Sequence, residues 1–172
     1  TISGRQPAVT DPHLVNSSGV NTWTGEISMT TGGNQYGIAS SAGKLTIQSD
    51  IVNNTGTSDT RYLTLSGAGD GEISGVIRNG TATGFIDVIK DGAGTWVLSG
   101  DNVSLGSTTI RQGTLQVGAG GTTGKLGGGN VVNDGTLTVN RSDDLTLHQA
   151  ISGSGRLVKQ GAGTLTLTNV HS

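Results

Sequence analysis

The chain has 172 residues, of which 31 are glycine and two are proline, and its formal net charge is −2. It has no cysteine, 13% charged residues and 3% aromatic residues. These values exclude collagen, disulfide scaffolds and thiolate metal sites, and the scattered basic residues argue against nucleic-acid binding. No apolar run approaches the ~20 residues of a membrane-spanning helix. The composition predicts an ordered, β-rich domain with a thin aliphatic core.

A short alternating pattern of apolar and polar residues recurs along the chain. In chain order it occurs as GKLTI (43–47), RYLTL (61–65), GTWVL (94–98), GTLQV (113–117), GTLTV (135–139), DDLTL (143–147) and GTLTL (163–167). Alternation with a period of two predicts strands with one apolar face. The predicted inward pairs are Leu45/Ile47, Leu63/Leu65, Trp96/Leu98, Leu115/Val117, Leu137/Val139, Leu145/Leu147 and Leu165/Leu167. The threonines predicted to face water are Thr46, Thr64, Thr114, Thr136, Thr138, Thr146, Thr164 and Thr166.

One longer stretch occurs twice. VIKDGAGTWVLSG (88–100) returns as LVKQGAGTLTLTN (157–169), with Trp96 replaced by Leu165. Repetition with a period of about 20 to 30 residues is typical of a solenoid, in which each coil buries its apolar edge against its neighbours. We therefore predict an all-β parallel β-helix of roughly seven to eight coils. Residues 1–20 form an irregular N-terminal segment or a first coil, and residues 21–172 form the β-helix.

The repeated residues also resemble a known family. ISGSGRLVKQGAGTLTLTN (151–169) is similar to the passenger-associated repeat of bacterial autotransporters, and residues 73–118 resemble its extended form. The shared elements are an Ile-Ser-Gly opening, a lysine before Gly-Ala-Gly-Thr, a strand that begins Thr-Thr-apolar and a closing Gly-Thr-Leu-x-Val-Gly. The resemblance covers residues 73–172 and extends more weakly over 20–72. DNVSLGSTTI (101–110) lacks the family's usual aromatic segment, so a differently packed corner is expected there.

The resemblance implies a right-handed parallel β-helix that is part of a longer passenger, secreted or displayed on the bacterial surface. It implies a rigid, non-enzymatic stalk or adhesin scaffold that aids secretion and folding. The implied partners are a host or bacterial surface, through protein or glycan, or self-association. A membrane-embedded translocator barrel of the same polypeptide is expected, although it is not in this sequence. The alternative function is a carbohydrate-active β-helix, binding or cleaving polysaccharide, whose site lies mostly outside this sequence.

Several acidic groups are candidates for a catalytic role. They are Asp143 and Asp144 with His148, Asp70 with Glu72, and Asp87 and Asp91 beside Lys90. A general base needs a tuned pKa in a cleft, whereas strand alternation places these groups outward or at corners. Lys90 has a counterpart in Lys159, which indicates that it belongs to the repeat. We therefore predict no catalytic residues.

Metal, phosphate and ice-binding sites are also not predicted. His13, His148 and His171 are too scattered for a metal site, and SGAGDGEIS (66–74) is a single copy of a calcium-type repeat. The segment 118–130 is glycine-rich without the ending of a phosphate loop, and is predicted to be a flexible loop. No cofactor is expected. Among the aromatic residues, Trp96 is predicted to be in the core, and Trp23 and Tyr36 are the predicted exposed surface contacts.

Overall fold

A computed structural model describes residues 1–4, 11–103 and 105–169 of the chain. Strands, turns and loops make up this part, and none of its residues is helical, so it has no helix that could cross a membrane. The strands, in chain order, are β1 (Ile2–Ser3), β2 (Leu14–Asn16), β3 (Val20–Trp23), β4 (Ile27–Thr30), β5 (Gln35–Ser40), β6 (Lys44–Ile47), β7 (Ile51–Asn53), β8 (Arg61–Ser66), β9 (Asp70–Ile73), β10 (Ile77–Asn79), β11 (Ile86–Lys90), β12 (Thr95–Leu98), β13 (Leu105–Ile110), β14 (Thr114–Val117), β15 (Val131–Asn133), β16 (Thr136–Asn140), β17 (Leu145–Leu147), β18 (Ile151–Ser152), β19 (Arg156–Gln160) and β20 (Leu165–Leu167).

These strands stack as a β-solenoid. Sheet I has the order β2-β5-β8-β11-β13-β15-β18, and sheet II has the order β3-β6-β9-β12-β14-β16-β19. The third side is formed by sheet III, β1-β4-β7-β10, and farther along the chain by the pair β17-β20. The strand pairs are parallel, for example β5 with β8 and β12 with β14. The predicted all-β parallel β-helix is confirmed.

The coils differ in length along the rod. Lys44 pairs with Asp70, 26 residues later, whereas Thr114 pairs with Thr136, 22 residues later. Between β2 and β18 the described chain returns to sheet I six times. At ~4.8 Å for each step, this stack is roughly 29 Å long. The right-handed sense and the seven to eight coils remain predictions, as does the division at residue 20.

Alternation along the strands places the aliphatic side chains inside the coil. The predicted inward pairs from Leu45/Ile47 to Leu137/Val139 are buried, and Trp96 is fully buried. Leu145 and Leu165 are partly buried and pack against this core. Two predictions differ from the structure. Leu167 is 36% exposed because β20 lies at the edge of its sheet. Thr138 is buried between the neighbouring strands, although the residues that face inward are those before and after it, Leu137 and Val139.

The two copies of the repeated stretch form the same corner at different sides of the coil. The first leads from β11 in sheet I to β12 in sheet II, and the second leads from β19 in sheet II to β20. Gly92 and Gly161 have φ of 77° and 72°, a conformation that glycine adopts at no steric cost. A Cβ at either position would also collide with the backbone of the coil before it. The shared sequence therefore encodes a corner rather than one side of the rod.

Side chains replace a strand where the third side is interrupted. Asn102 is buried, and its Oδ1 accepts the Ile77 N–H at 2.9 Å while its Nδ2 donates to the Lys125 carbonyl. Arg141 donates to the carbonyls of Thr122 and Gly124. The segment 118–130, predicted to be a flexible loop, is thus held at its base by side chains of neighbouring coils.

Candidate functional site

A trough of about 450 Å³ runs along the outer face of sheet I. It begins at His13 beside β2, crosses β5, β8 and β11, and ends at Arg111, directly after β13. The trough therefore crosses five consecutive coils, perpendicular to the strands. Four steps of ~4.8 Å give it a length of roughly 19 Å.

Gly37, which has no side chain, forms part of the trough floor. Gly37 pairs with Thr64, which pairs with Ile89 on the next coil, so these residues form one outward column. The backbone of Pro12 lies close to Gly37, and a Cβ there would be 3.0 Å from the Pro12 Cα. Glycine at this position lets the first coil approach and leaves a depression between His13 and Thr64.

The trough is lined by polar groups around a small apolar surface. Tyr62, Thr64 and Ser66 project from β8, and Ile89 projects from β11. The Arg111 Nη1 lies 3.8 Å from the Asp91 Oδ2 at one end. At the other end, the His13 Nδ1 accepts the Gly37 N–H at 3.0 Å. The arrangement offers hydroxyl groups, aromatic rings and one ion pair within a single open depression.

The exposed aromatic side chains differ from the prediction. Tyr36 is only 1% exposed because its strand position pairs with Leu63, which is on the inward face, and its hydroxyl donates to the Thr30 carbonyl. The predicted exposure of Tyr36 is therefore wrong. Trp23 is 42% exposed, and its role as a contact remains a prediction. Phe85, for which the sequence predicted no contact role, is 60% exposed and directly precedes β11.

The first group of catalytic candidates is engaged in separate structural bonds. Two N–H groups of Arg141 donate to Asp143, which lowers the pKa of that carboxyl. Asp144 accepts the backbone N–H of Thr164, one coil farther on, at 2.7 Å. The His148 Nδ1 lies 2.9 Å from the Thr168 hydroxyl. These three groups therefore do not converge on a common point.

The other acidic candidates also form separate structural hydrogen bonds. Asp70 accepts the Thr95 N–H and Asp87 accepts the Ser107 N–H, in each case from the next coil. Asp91 accepts the N–H of its own neighbour Gly92. Glu72 accepts hydrogen bonds from Lys44 and Ser99. The carboxylates are thus used individually in the scaffold.

Lys90 is a buried residue of the core whose amino group lies at a corner. Its stem continues the inward column of Leu65 and Ile110, and its Nζ donates to the carbonyls of Asp91, Gly92 and Gln112. Burial lowers the pKa of Lys90 to about 8, partly offset by the charge of Asp91. At neutral pH the group is mostly an ammonium whose three N–H groups are all used.

Metal-binding arrangements are absent from the described residues, which contain no cluster of three or more His, Cys, Asp or Glu side chains suited to a metal ion. His13 and His148 lie on different coils, and His171 is outside the described residues. Asp70 and Glu72, the acidic residues of the calcium-type stretch, form the structural bonds described above.

Two comparisons relate the chain to known proteins. Residues 88–117 and 157–172 match the family described as Passenger-associated-transport-repeat. Over 97 residues, the chain is 44% identical to the adhesin BmaC autotransporter of Brucella suis biovar 1 (strain 1330). The chain carries autotransporter passenger repeats. No solved structure matches it significantly.

The predicted relationship to autotransporter passengers is therefore confirmed, and with it the extracellular, cell-surface location. The match covers 55% of this chain and 3% of the adhesin, so the chain spans a small part of that relative's length. The matched repeats include the two Lys-x-Gly-Ala-Gly-Thr corners described above. The trough, in contrast, lies mainly on β5 and β8, before the first matched repeat.

Proposed function

We propose that the chain is a rigid, non-enzymatic segment of an adhesin passenger, which holds the sheet I trough toward a surface outside the cell. The observation that carries this proposal is the unbroken pairing of sheets I and II, each of which connects seven strands in the described chain. A rod held together by parallel ladders transmits force along its axis and keeps its outer faces in fixed positions. The similarity to an adhesin supports the same function.

We also propose that the coil-to-coil bonds aid folding during secretion. Asp87, Asp134 and Asp144 each accept a backbone N–H located 20 residues later in the chain. A folded coil therefore presents hydrogen-bond partners to the coil beside it. Such stepwise docking suits a chain that emerges from a membrane progressively.

The alternative of polysaccharide cleavage is less well supported. Cleavage by paired carboxylates needs two acidic groups at a common position, one to donate and one to accept a proton. Asp70, Asp87 and Asp144 instead each accept a backbone N–H from the following coil. Polysaccharide binding, in contrast, is compatible with the trough.

Adhesion of the full chain tests the proposal. Beads coated with the chain should bind to host-cell or bacterial monolayers above the level of albumin-coated beads. Thr64→Arg, which places a long charged side chain in the trough, should reduce binding at least ~5-fold, since interface hot spots contribute ~1 kcal/mol or more. Thr46→Arg on sheet II is the matched control. Equal binding by both variants would contradict adhesion through the sheet I trough. Release of reducing ends from polysaccharides would contradict the non-enzymatic function.

A further inference from the structure

We infer that the sheet I trough binds a linear, uncharged oligosaccharide. This inference rests on the proposed adhesive function and specifies the chemical class of its ligand. It is derived from the direction of the trough, from its unused hydrogen-bonding groups and from its charge.

The direction of the trough excludes the usual mode of peptide recognition. A peptide that binds a sheet adds a strand to a free edge and pairs through its backbone. In the trough, β5, β8 and β11 are each hydrogen-bonded to strands on both sides, so their backbone groups are occupied. The trough also runs across the strands rather than along them. Its ligand must therefore be recognised by side chains alone.

The side chains that remain available are those that recognise sugars. In the described part of the chain, the hydroxyls of Tyr62, Thr64 and Ser66 have no protein hydrogen-bond partner. Each hydroxyl can donate one hydrogen bond and accept others, which matches the dual character of sugar hydroxyl groups. The three hydroxyls project on the same side of β8 because they are spaced two residues apart. They therefore form a polar row along β8, across the middle of the trough.

Apolar contacts complement this row. The Tyr62 ring is diagonal to Ile89, since Tyr62 pairs with Asp87 and Ile89 follows two residues later. A pyranose ring has an apolar face of C–H groups, which packs against aromatic and aliphatic side chains while its hydroxyls point sideways. Binding sites commonly combine such apolar surfaces with a few polar groups that set orientation.

The charges at the trough favour an uncharged ligand. The Arg111 Nη1 and the Asp91 Oδ2 lie 3.8 Å apart at one end and their charges offset each other, so this ion pair leaves no net charge there to attract an acidic polysaccharide. The Arg111 Nη1 is too far from Asp91 for a direct hydrogen bond, so its N–H groups can donate to neighbouring sugar hydroxyls. A volume of about 450 Å³ is within the range of small-ligand sites.

Titration of the full, isotope-labelled chain with neutral tetrasaccharides tests the inference. Maltotetraose and cellotetraose, in which each glucose has a vicinal diol at C2 and C3, serve as probes, and amide chemical shifts report the site. At least one probe should shift the amides of Gly37, Thr64 and Ile89 in a saturable way. Shifts confined to other faces, or no saturable shift for any probe, would overturn the inference.

Matched variants make this experiment specific. Tyr62→Phe and Thr64→Ala each remove one hydroxyl and should weaken binding ~2- to 10-fold, as expected for a neutral hydrogen bond. Thr46→Ala, on the same strand type in sheet II, should leave the affinity unchanged. Equal affinity for Thr64→Ala, Tyr62→Phe and the unaltered chain would overturn the inference.

Treatment of the target cells separates this inference from the proposed function. Periodate oxidation cleaves vicinal diols in cell-surface glycans and should abolish adhesion of coated beads. If adhesion persists after oxidation but is still lost in Thr64→Arg, the adhesive function stands and the ligand is a protein. This result would overturn the inference that the ligand is an oligosaccharide. If Thr64→Arg has no effect while tetrasaccharides bind in the trough, the ligand class stands and the adhesive function fails.

Discussion

Trp96 and Gly71 show how the core accommodates one large side chain. They pair directly across β12 and β9, and a Cβ at Gly71 would collide with the Trp96 indole. The indole is fully buried, and its Nε1 donates to the Ser66 carbonyl at 3.1 Å. In the second copy of the repeat, the corresponding position is Leu165. The glycine therefore provides the volume that the larger ring needs.

The Gly71–Trp96 pair gives a prediction about coupling. Gly71→Ala should lower the free energy of unfolding by about 1–3 kcal/mol because it overpacks the core beneath the ring. In a Trp96→Leu background the same substitution should cost less than ~1 kcal/mol, since the smaller side chain leaves room for a methyl group. Urea unfolding of the four chains measures the coupling energy. Additive effects of the two substitutions would contradict this account of Gly71.

Lys90 gives a second prediction, with Lys159 as an internal control. Lys90→Met keeps most of the apolar stem but leaves three carbonyl groups without a donor, which should cost about 1–3 kcal/mol or more. Lys159 donates to the equivalent carbonyls of Gln160 and Gly161, but it is exposed at the last strand of its sheet. Lys159→Met should therefore change the free energy of unfolding by less than ~0.5 kcal/mol. Equal effects in urea unfolding would show that the buried corner bonds of Lys90 are not stabilising.

The sequence could predict the direction of some side chains but not of others. The inward direction of Leu63, Leu65 and Trp96 follows from alternation, which is a local property. The direction of Tyr36 could not be predicted because QYGIAS has no clear alternation, and the direction depends on pairing with β8, 27 residues later. The trough could not be predicted for the same reason, since Gly37 and Ile89 meet only through the register of three coils.

At the scale of the strands and corners, aspartates connect successive coils. Asp50 is one example: its Oδ1 accepts the Val76 N–H at 2.9 Å, and its Oδ2 accepts the Arg78 Nε at 2.8 Å. The hydrogen bond from Arg78, followed by that from Val76, lowers the pKa of the Asp50 carboxyl. The Glu26 Oε2 also lies 3.7 Å from the Arg78 Nη2. Asp50 therefore adds two hydrogen bonds to the pairing of β7 with β10, and they are strongest while its carboxyl is ionised.

This arrangement predicts an acid-dependent contribution to stability. Because the folded-state pKa of Asp50 is below its unfolded value, its contribution is complete above about pH 4 and is lost as the pH falls through the folded pKa. Asp50→Asn should therefore make the decrease in stability between pH 5 and pH 2 shallower. Asp59→Asn is the control, since the Asp59 side chain is 74% exposed. Urea midpoints measured across this range check the result, and parallel curves for the unaltered chain and Asp50→Asn would contradict it.

At the scale of the whole rod, stability is expected to vary along the axis. The central strands β8 and β11 have fully buried inward side chains and partners on both sides. All four residues of β3 are exposed, and β19 and β20 have no buried residue. In a stack where each coil contacts only its neighbours, the end coils have one interface instead of two.

Hydrogen exchange should reveal this gradient. Backbone amides of β8, β11 and β12 should exchange slowest, by global unfolding, whereas those of β3 and β20 should exchange through local fraying at lower free energy. Attaching further passenger repeats after residue 172 should slow exchange in β20 and leave β3 unchanged, because only the coil that gains an interface is stabilised. Mass spectrometry of peptides from the exchanged chain resolves these strands separately. Uniform exchange from β3 to β20 would mean that the rod unfolds as one cooperative unit, and the additive stacking of coils would then be incorrect.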